Sequence, residues 1–256
     1  MFQKLAMILG VAAGVGLAQP AFEVASIKPN HSGDRFPSLG PTTGGKFNVK
    51  NATVMFLLHT AYRLDEFRIA GLPAWANTER FDITAKAADG NATPDQIRQM
   101  IQTLLQHRFQ MTVHREDREQ QRYALVVAKN GPKLQKAKSD TCADNGTPNN
   151  PCGGFRIYKR SQMWGNTVTM AQFAAELTYM MERMVVDKTG IPGLFDIRVE
   201  WTPEQFGAEP GDAVRADEPN PTLFTAVQEQ LGLRMQSEKG PVEVLVVDKL
   251  SRPAEN

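Results

Sequence analysis

Phe81-Asp82-Ile83 and Leu125-Val126-Val127-Ala128-Lys129 return in the same order as Phe195-Asp196-Ile197 and Leu245-Val246-Val247-Asp248-Lys249. An amphipathic helical stretch lies inside each pair. In the first it begins at Thr93-Pro94-Asp95-Gln96, where Thr can cap, Pro suits the first turn and Gln can reach back to the cap. Ile97, Met100, Ile101, Leu104, Leu105 and Phe109 then follow at helical spacing. In the second, Asn220-Pro221 opens the stretch, and Leu223, Val227 and Leu231 match Ile101, Leu105 and Phe109.

Working outward, the correspondence continues on both sides. Asn51 or Thr53 can cap an earlier helix that places Val54, Leu57, Leu58 and Ala61 on one face. Thr169, Phe173 and Leu177 match Thr53, Leu57 and Ala61. Short strands precede Gly71-Leu72-Pro73 and Gly190-Ile191-Pro192. The offsets are 116 at Thr53/Thr169, 114 at Phe81/Phe195, 122 at Ile101/Leu223 and 120 at Leu125/Leu245. They differ by loop-sized amounts, as expected when only loops have changed. A repeated supersecondary unit decides the fold before any single element does.

The expected class is therefore α+β: two tandem duplicated β-α-β-β-α-β-β units, with helices packed on mixed or antiparallel sheets. Residues 1–18 read as a signal peptide, 19–134 as the first unit, 135–160 as a polar cysteine-containing linker and 161–256 as the second unit. In the first segment Lys4 precedes the uncharged run Leu5 to Ala18, and Gly16-Leu17-Ala18 ends it with small residues. That run is shorter than the ~20 residues of a membrane-spanning helix, so cleavage is expected, with an uncleaved anchor as the alternative. The mature chain is expected to carry no transmembrane segment and to be exported, periplasmic or extracellular. Cys142 and Cys152 are the two cysteines, and in an exported chain they are expected to form a disulfide.

Composition excludes some partners. Of 256 residues, 41% are hydrophobic and 22% charged, and the formal charge is +1. Such a balance gives neither nucleic acid nor an anionic membrane an electrostatic handle.

Four segments carry a family resemblance: Phe22-Glu23-Val24-Ala25-Ser26-Ile27-Lys28-Pro29, Arg80-Phe81-Asp82-Ile83, Val186-Asp187-Lys188-Thr189-Gly190 and Arg252-Pro253-Ala254-Glu255-Asn256. With them the chain resembles a large uncharacterised family of exported proteins abundant in soil acidobacteria, known by its "Soli" C-terminal domain of unknown function. The resemblance covers nearly all of the mature chain and implies no activity, cofactor or catalytic residue. Each unit also resembles, more weakly, the short N-terminal domains of secretins and TonB-dependent receptors, which are binding and signalling modules.

The motifs give little chemistry. Lys188-Thr189-Gly190 resembles a β-lactamase motif, but no Ser here is followed by Lys at the third position. His59, His107 and His114 lack ligand-type neighbours at metal spacing. Asp82 and Asp196 are repeat-equivalent, which reads as structural rather than as a glycosidase pair. No catalytic, cofactor-binding or metal-ligating residue is assigned, and no cofactor is expected. Trp75 and Trp164 are the candidate contacts for a ligand or partner, because exposed aromatics anchor interfaces. The reading is an exported, non-catalytic binding or protein-interaction module with an unknown protein or small-molecule partner in the cell envelope. The alternatives are an extracytoplasmic hydrolase with a site in the groove between the units, and a sensor or assembly component of an envelope complex.

Overall fold

The computed structural model describes residues 19–41, 43–139, 141–142, 146–147, 150–202 and 221–253. The expected signal peptide, residues 203–219 and Asn220 lie outside the described residues. In chain order the elements are β1 (Val24–Pro29), β2 (Ser38–Leu39), β3 (Lys46–Ala52), α1 (Val54–Tyr62), β4 (Ile69–Ala70), α2 (Trp75–Thr78), β5 (Phe81–Lys86), α3 (Pro94–Arg108), β6 (Thr112–Val127) and β7 (Gln135–Lys136). There follow β8 (Gly146–Thr147), β9 (Asn150–Pro151), β10 (Gly154–Tyr158), β11 (Gln162–Val168), α4 (Met170–Met181), β12 (Val185–Asp187), β13 (Phe195–Glu200), α5 (Leu223–Leu231) and β14 (Leu233–Lys249). The fold is α+β. Two compact units are discontinuous in sequence. The first holds residues up to Leu64, Gly71–Val113 and Val247 onward; the second holds Asp65–Ala70 and His114–Val246.

In the first unit an antiparallel sheet runs β1-β5-β3-β2. Its strands alternate: Phe47 and Val49 of β3, and Phe81, Ile83 and Ala85 of β5, are buried while their neighbours are not. Helices α1 and α3 supply the other side of the core. Val54, Leu57, Leu58 and Ala61 of α1 are buried, as are Ile97, Ile101, Leu104 and Leu105 of α3. Phe109 meets Phe81 edge-on at 5.5 Å. Each such side chain contributes about 1.5–3 kcal/mol when fully buried. Both helices start at threonines. Thr53 Oγ1 accepts from Phe56 N–H at 3.2 Å, and Thr93 and Gln96 form a capping box. Asn51, the other candidate cap of α1, instead occupies a β-bulge just before it, with φ 59°.

The second unit has an antiparallel sheet ordered β10-β11-β13-β7. Met163, Val168, Phe173, Leu177, Ile197, Val199, Trp201 and Val227 form its core with α4 and α5. Thr169 and Gln172 make a capping box on α4, and Thr222 caps α5. Read from its other edge, this sheet has the strand order of the first. The registers agree too. Leu39 faces Val49 and Phe155 faces Gly165, each number in the second pair being 116 higher. In β3 the bulge falls between Val49 and Ala52, and in β11 between Gly165 and Val168.

A further sheet of the second unit runs β12-β6-β14-β4. Its outer pairs are parallel and nested along the chain: Val185–Asp187 beside Tyr123–Leu125, and Ile69–Ala70 beside Leu245–Val246. The sequence suggests a pair of short strands over 110–114 and 123–127, and another over 233–235 and 242–247. Each pair is instead one unbroken strand, β6 or β14. The charged middle stays extended because ladder bonds and side-chain pairs hold it: Arg122 meets Glu238 at 2.8 Å, and Arg68 and Arg115 both meet Glu243.

Candidate ligand-binding site

A groove of about 680 Å³ opens in the first unit, within the size range of small-ligand pockets. Ile27 and Pro29 of β1 and Phe81 of β5 give it apolar surface; Asn51, Arg80 and Asp34 give it polar surface. Local sequence explains the arrangement. Pro29 ends β1 opposite Phe81, and the chain leaves the sheet through the exposed segment His31–Phe36. At Asn51 the bulge turns β3 toward α1. Asn is among the non-glycine residues that best tolerate φ > 0.

Asn51 organises this corner. Its backbone N–H donates to Asp82 Oδ1 at 2.9 Å, and its own carbonyl accepts from Arg80 Nη1 at 3.1 Å. Its Nδ2 donates to the carbonyls of Asp34 at 2.7 Å and Phe36 at 3.1 Å. Two carbonyl acceptors fix which end of the carboxamide is the nitrogen. The remaining atom, Oδ1, is buried and has no hydrogen-bond partner among the described residues, in a residue only 1% exposed. A buried acceptor left alone costs about 1–3 kcal/mol.

Trp75, in α2, does not border the groove. The Arg252 guanidinium stacks over its ring at 5.1 Å and holds Glu79 with hydrogen bonds of 2.6 to 3.0 Å. Arg252's hydrogen bonds hold the Glu79 carboxyl below the usual carboxylate range. Glu79 and Arg252 both border the groove.

Trp164 belongs to the second unit, on β11. Tyr158 lies 4.6 Å from its ring and Arg198 stacks at 5.1 Å, while its Nε1 is buried without a partner. A groove of about 510 Å³ in that unit is bordered by Lys133, Lys138, Ser139, Thr167, Asp196 and Arg198. Here Thr167 takes the bulge position. Its N–H donates to Asp196 Oδ1 at 3.1 Å and its hydroxyl to Ser139 O at 3.4 Å. Unlike Asn51 Oδ1, its side-chain oxygen has a hydrogen-bond partner.

The remaining sequence candidates have structural partners. Cys142 and Cys152 are joined by a disulfide. In the Lys188-Thr189-Gly190 segment, Asp187 Oδ1 accepts from Thr189 N–H at 2.9 Å and from its hydroxyl at 2.7 Å, forming a turn, and Lys188 pairs with Glu238. His59 Nδ1 meets Leu64 O at 2.9 Å. Among the described residues no three His, Cys, Asp or Glu side chains gather as a metal site, and no helix is long and apolar enough to cross a membrane. Asn51 and Arg80 were not site candidates from the sequence. The available signal was an Asn two residues before a helix-capping Thr, where a bulge needs a residue that accepts φ > 0.

Residues 56–250 match the model of a family described as a protein of unknown function, DUF3738. The chain belongs to this family. Thr78, Glu79, Arg80 and Phe81 of the first groove fall inside the DUF3738 match, whereas Ile27 to Asn51 and Arg252 flank it. No curated protein and no solved structure matches the chain.

Proposed function

We propose that this DUF3738 protein is an exported, non-catalytic binding module that holds a small ligand in the groove beside Asn51. The observation that carries the reading is a groove of about 680 Å³ in which the apolar surface of Ile27, Pro29 and Phe81 adjoins polar Asn51, Asp34 and Arg80. Catalysis gains no support at this groove. The Ser32 hydroxyl, with one proton to share between Asn30 Oδ1 and Asp34 Oδ2, belongs to a local turn and does not border the groove. Export rests on the charge and apolar pattern of residues 1–18 together with the disulfide, and placement among the exported "Soli" proteins rests on the four segments quoted for them. Descent of both sheets from one duplicated unit is supported by their shared strand order, register and bulge positions.

A second reading, an assembly component of an envelope complex, is favoured by the edges of the first sheet. Val24 of β1 and Leu39 of β2 are 64% and 50% exposed, and Phe36 beside β2 is 70% exposed. Edge strands with apolar side chains accept partner strands.

The test is retention. The purified protein is equilibrated with small-molecule extract from its own cells, separated by gel filtration and assayed by mass spectrometry. Retention of a compound by the native chain and not by Thr78→Trp, a substitution at an exposed groove position, supports the reading. Equal retention by both, or retention by neither, overturns it.

A further inference from the structure

We propose that the free edge of β6 pairs with the same edge of a second copy of this chain, antiparallel and two-fold symmetric about Asp117. None of the residues involved borders either groove.

β6 lies between β12 and β14. β12 covers only Tyr123–Leu125. The stretch from Thr112 to Arg122 therefore has no strand on that side among the described residues. Arg115, Asp117, Arg118 and Glu119 are exposed along it, and Glu116 is half-buried. The backbone shows which groups this edge offers. Tyr123 N–H donates to Met184 O at 2.8 Å, and Leu125 O accepts from Lys188 N–H at 2.9 Å, both toward β12. Toward β14, Ala128 N–H donates to Gly232 O at 2.9 Å. Odd-numbered residues thus turn their hydrogen-bonding groups outward, and the pleat carries that alternation back along β6. An antiparallel copy of the same edge must set odd residues against odd residues. Its two-fold axis then passes through a residue and not between two.

Length selects the residue. β6 starts at Thr112, and β12 takes over the edge after Arg122, so Asp117 is the midpoint. With the axis there, Thr112 of one copy lies opposite Arg122 of the other. Each strand fills the other's free edge and stops short of β12. Charge selects the same residue. In this register Arg115 faces Glu119 and Glu116 faces Arg118, each twice by symmetry, and the one like-charge pair is Asp117 with its mate. Shifting the axis to Glu116 opposes Glu116 to itself and His114 to Arg118. Shifting it to Arg118 opposes Arg118 to itself and Asp117 to Glu119 twice. Opposite charges directly across two strands attract and like charges repel. Charge on an edge ordinarily keeps other strands away. Here both signs occur, in an order that suits a copy running the other way. Arg118 already holds Glu116 along its own strand at 2.5 Å. Pairing closes these two residues and their mates into a square of alternating sign. A partner of uniform charge would be opposed by either the arginines or the acids.

The test is sedimentation equilibrium of the mature chain at low ionic strength, where surface charges are least screened. The native chain is expected to dimerise reversibly with a dissociation constant between about 1 μM and 1 mM. Arg118→Glu alone and Glu116→Arg alone each set like charges across the axis, and each should weaken association about tenfold or more. An equimolar mixture of these two variants should associate again, because every 116–118 pair between unlike copies is then opposite in sign. The double variant Glu116→Arg/Arg118→Glu should dimerise like the native chain. Asp117→Asn, which removes the like pair at the axis, should dimerise more tightly. Recovery on mixing uses the same two proteins, so misfolding cannot imitate it. A native chain that stays monomeric to about 1 mM, a dimer indifferent to both reversals, or a mixture that does not associate overturns the proposal.

Discussion

The Asp82 carboxylate accepts the backbone N–H of Asn51 at 2.9 Å, and the same Oδ1 accepts Asn30 Nδ2 at 2.7 Å. It thereby pins a bulge residue at φ 59° and the strand that leaves β1. Asp196 does the first of these for Thr167, at 3.1 Å. Hydrogen bonds to a charged group contribute about 1.5–3 kcal/mol. Asp82→Ala is expected to lower unfolding free energy by about that amount, and Asp82→Asn by less, since its amide oxygen still accepts. Asp196→Ala should cost less than Asp82→Ala, with one such bond against two. Urea denaturation of the three variants gives the ranking; equal stability of Asp82→Ala and the native chain would refute it.

Gly232 ends α5 with φ 64°, and a Cβ there would run into the backbone carbonyl of Gly131 and approach Lys133 N at 2.9 Å. Gly131 also has positive φ, 79°, but open space around it. Gly131→Ala should therefore cost only the left-handed penalty of about 1–2 kcal/mol. Gly232→Ala should cost clearly more, because backbone rather than a movable side chain blocks it. Thermal melts of the two variants make the comparison directly.

Reduction of Cys142–Cys152 is expected to destabilise the chain modestly. The sequence separation is 10, and chain-entropy loss from so short a loop is about 2–3 kcal/mol. A melting curve with and without reductant reads it, and Cys142→Ser with Cys152→Ser should reproduce the reduced curve.

Acid should loosen the second unit through Glu238. Lys188, the larger influence, and Arg122 hold its carboxyl below the usual carboxylate range. A lowered folded value means the stabilisation is fully present above the unfolded value and is lost as pH falls through the folded one. Melting midpoints should thus fall on acidification below the ordinary carboxylate range, and more shallowly in Glu238→Gln. Parallel profiles for the two proteins would rule this out.

Glu176 of α4 has the opposite sign. Burial raises its carboxyl above the usual range, so its favourable contribution exists at low pH and disappears as pH rises through the raised value. At neutral pH Glu176→Gln is expected to raise the melting midpoint slightly, and at acid pH to leave it unchanged.

Local signals in the sequence are legible where one residue decides one contact. Thr53, Thr93 and Thr169 cap helices because a hydroxyl before an apolar stripe has that single use. Leu57, Leu58, Ile101 and Leu105 are buried because helical spacing leaves them one face. The run Arg115 to Arg122 defeated the same reasoning. It carries no apolar alternation, so its strand character comes from pairing with a neighbour that sequence spacing does not reveal. The groove was hidden for a related reason. Asn51 competes as a helix cap by residue type alone, and only the bulge register, Val49 opposite Ile83 and Ala52 opposite Phe81, separates it from that role. Trp75 drew attention by its size, yet its ring is a seat for Arg252, and the polar corner beside it lies in smaller residues.

The nested parallel pairs slow folding in a particular order. Ile69 and Ala70 find their ladder partners in Leu245 and Val246, about two-thirds of the chain length away. Closing so distant a contact costs loop entropy before any bond forms, and such contacts slow folding. A growing chain therefore carries Ile69–Ala70 as an unpaired edge until its last strand exists. Cooperative completion belongs to the finished polypeptide, and a chain cut before Leu245 would leave that edge to intermolecular pairing.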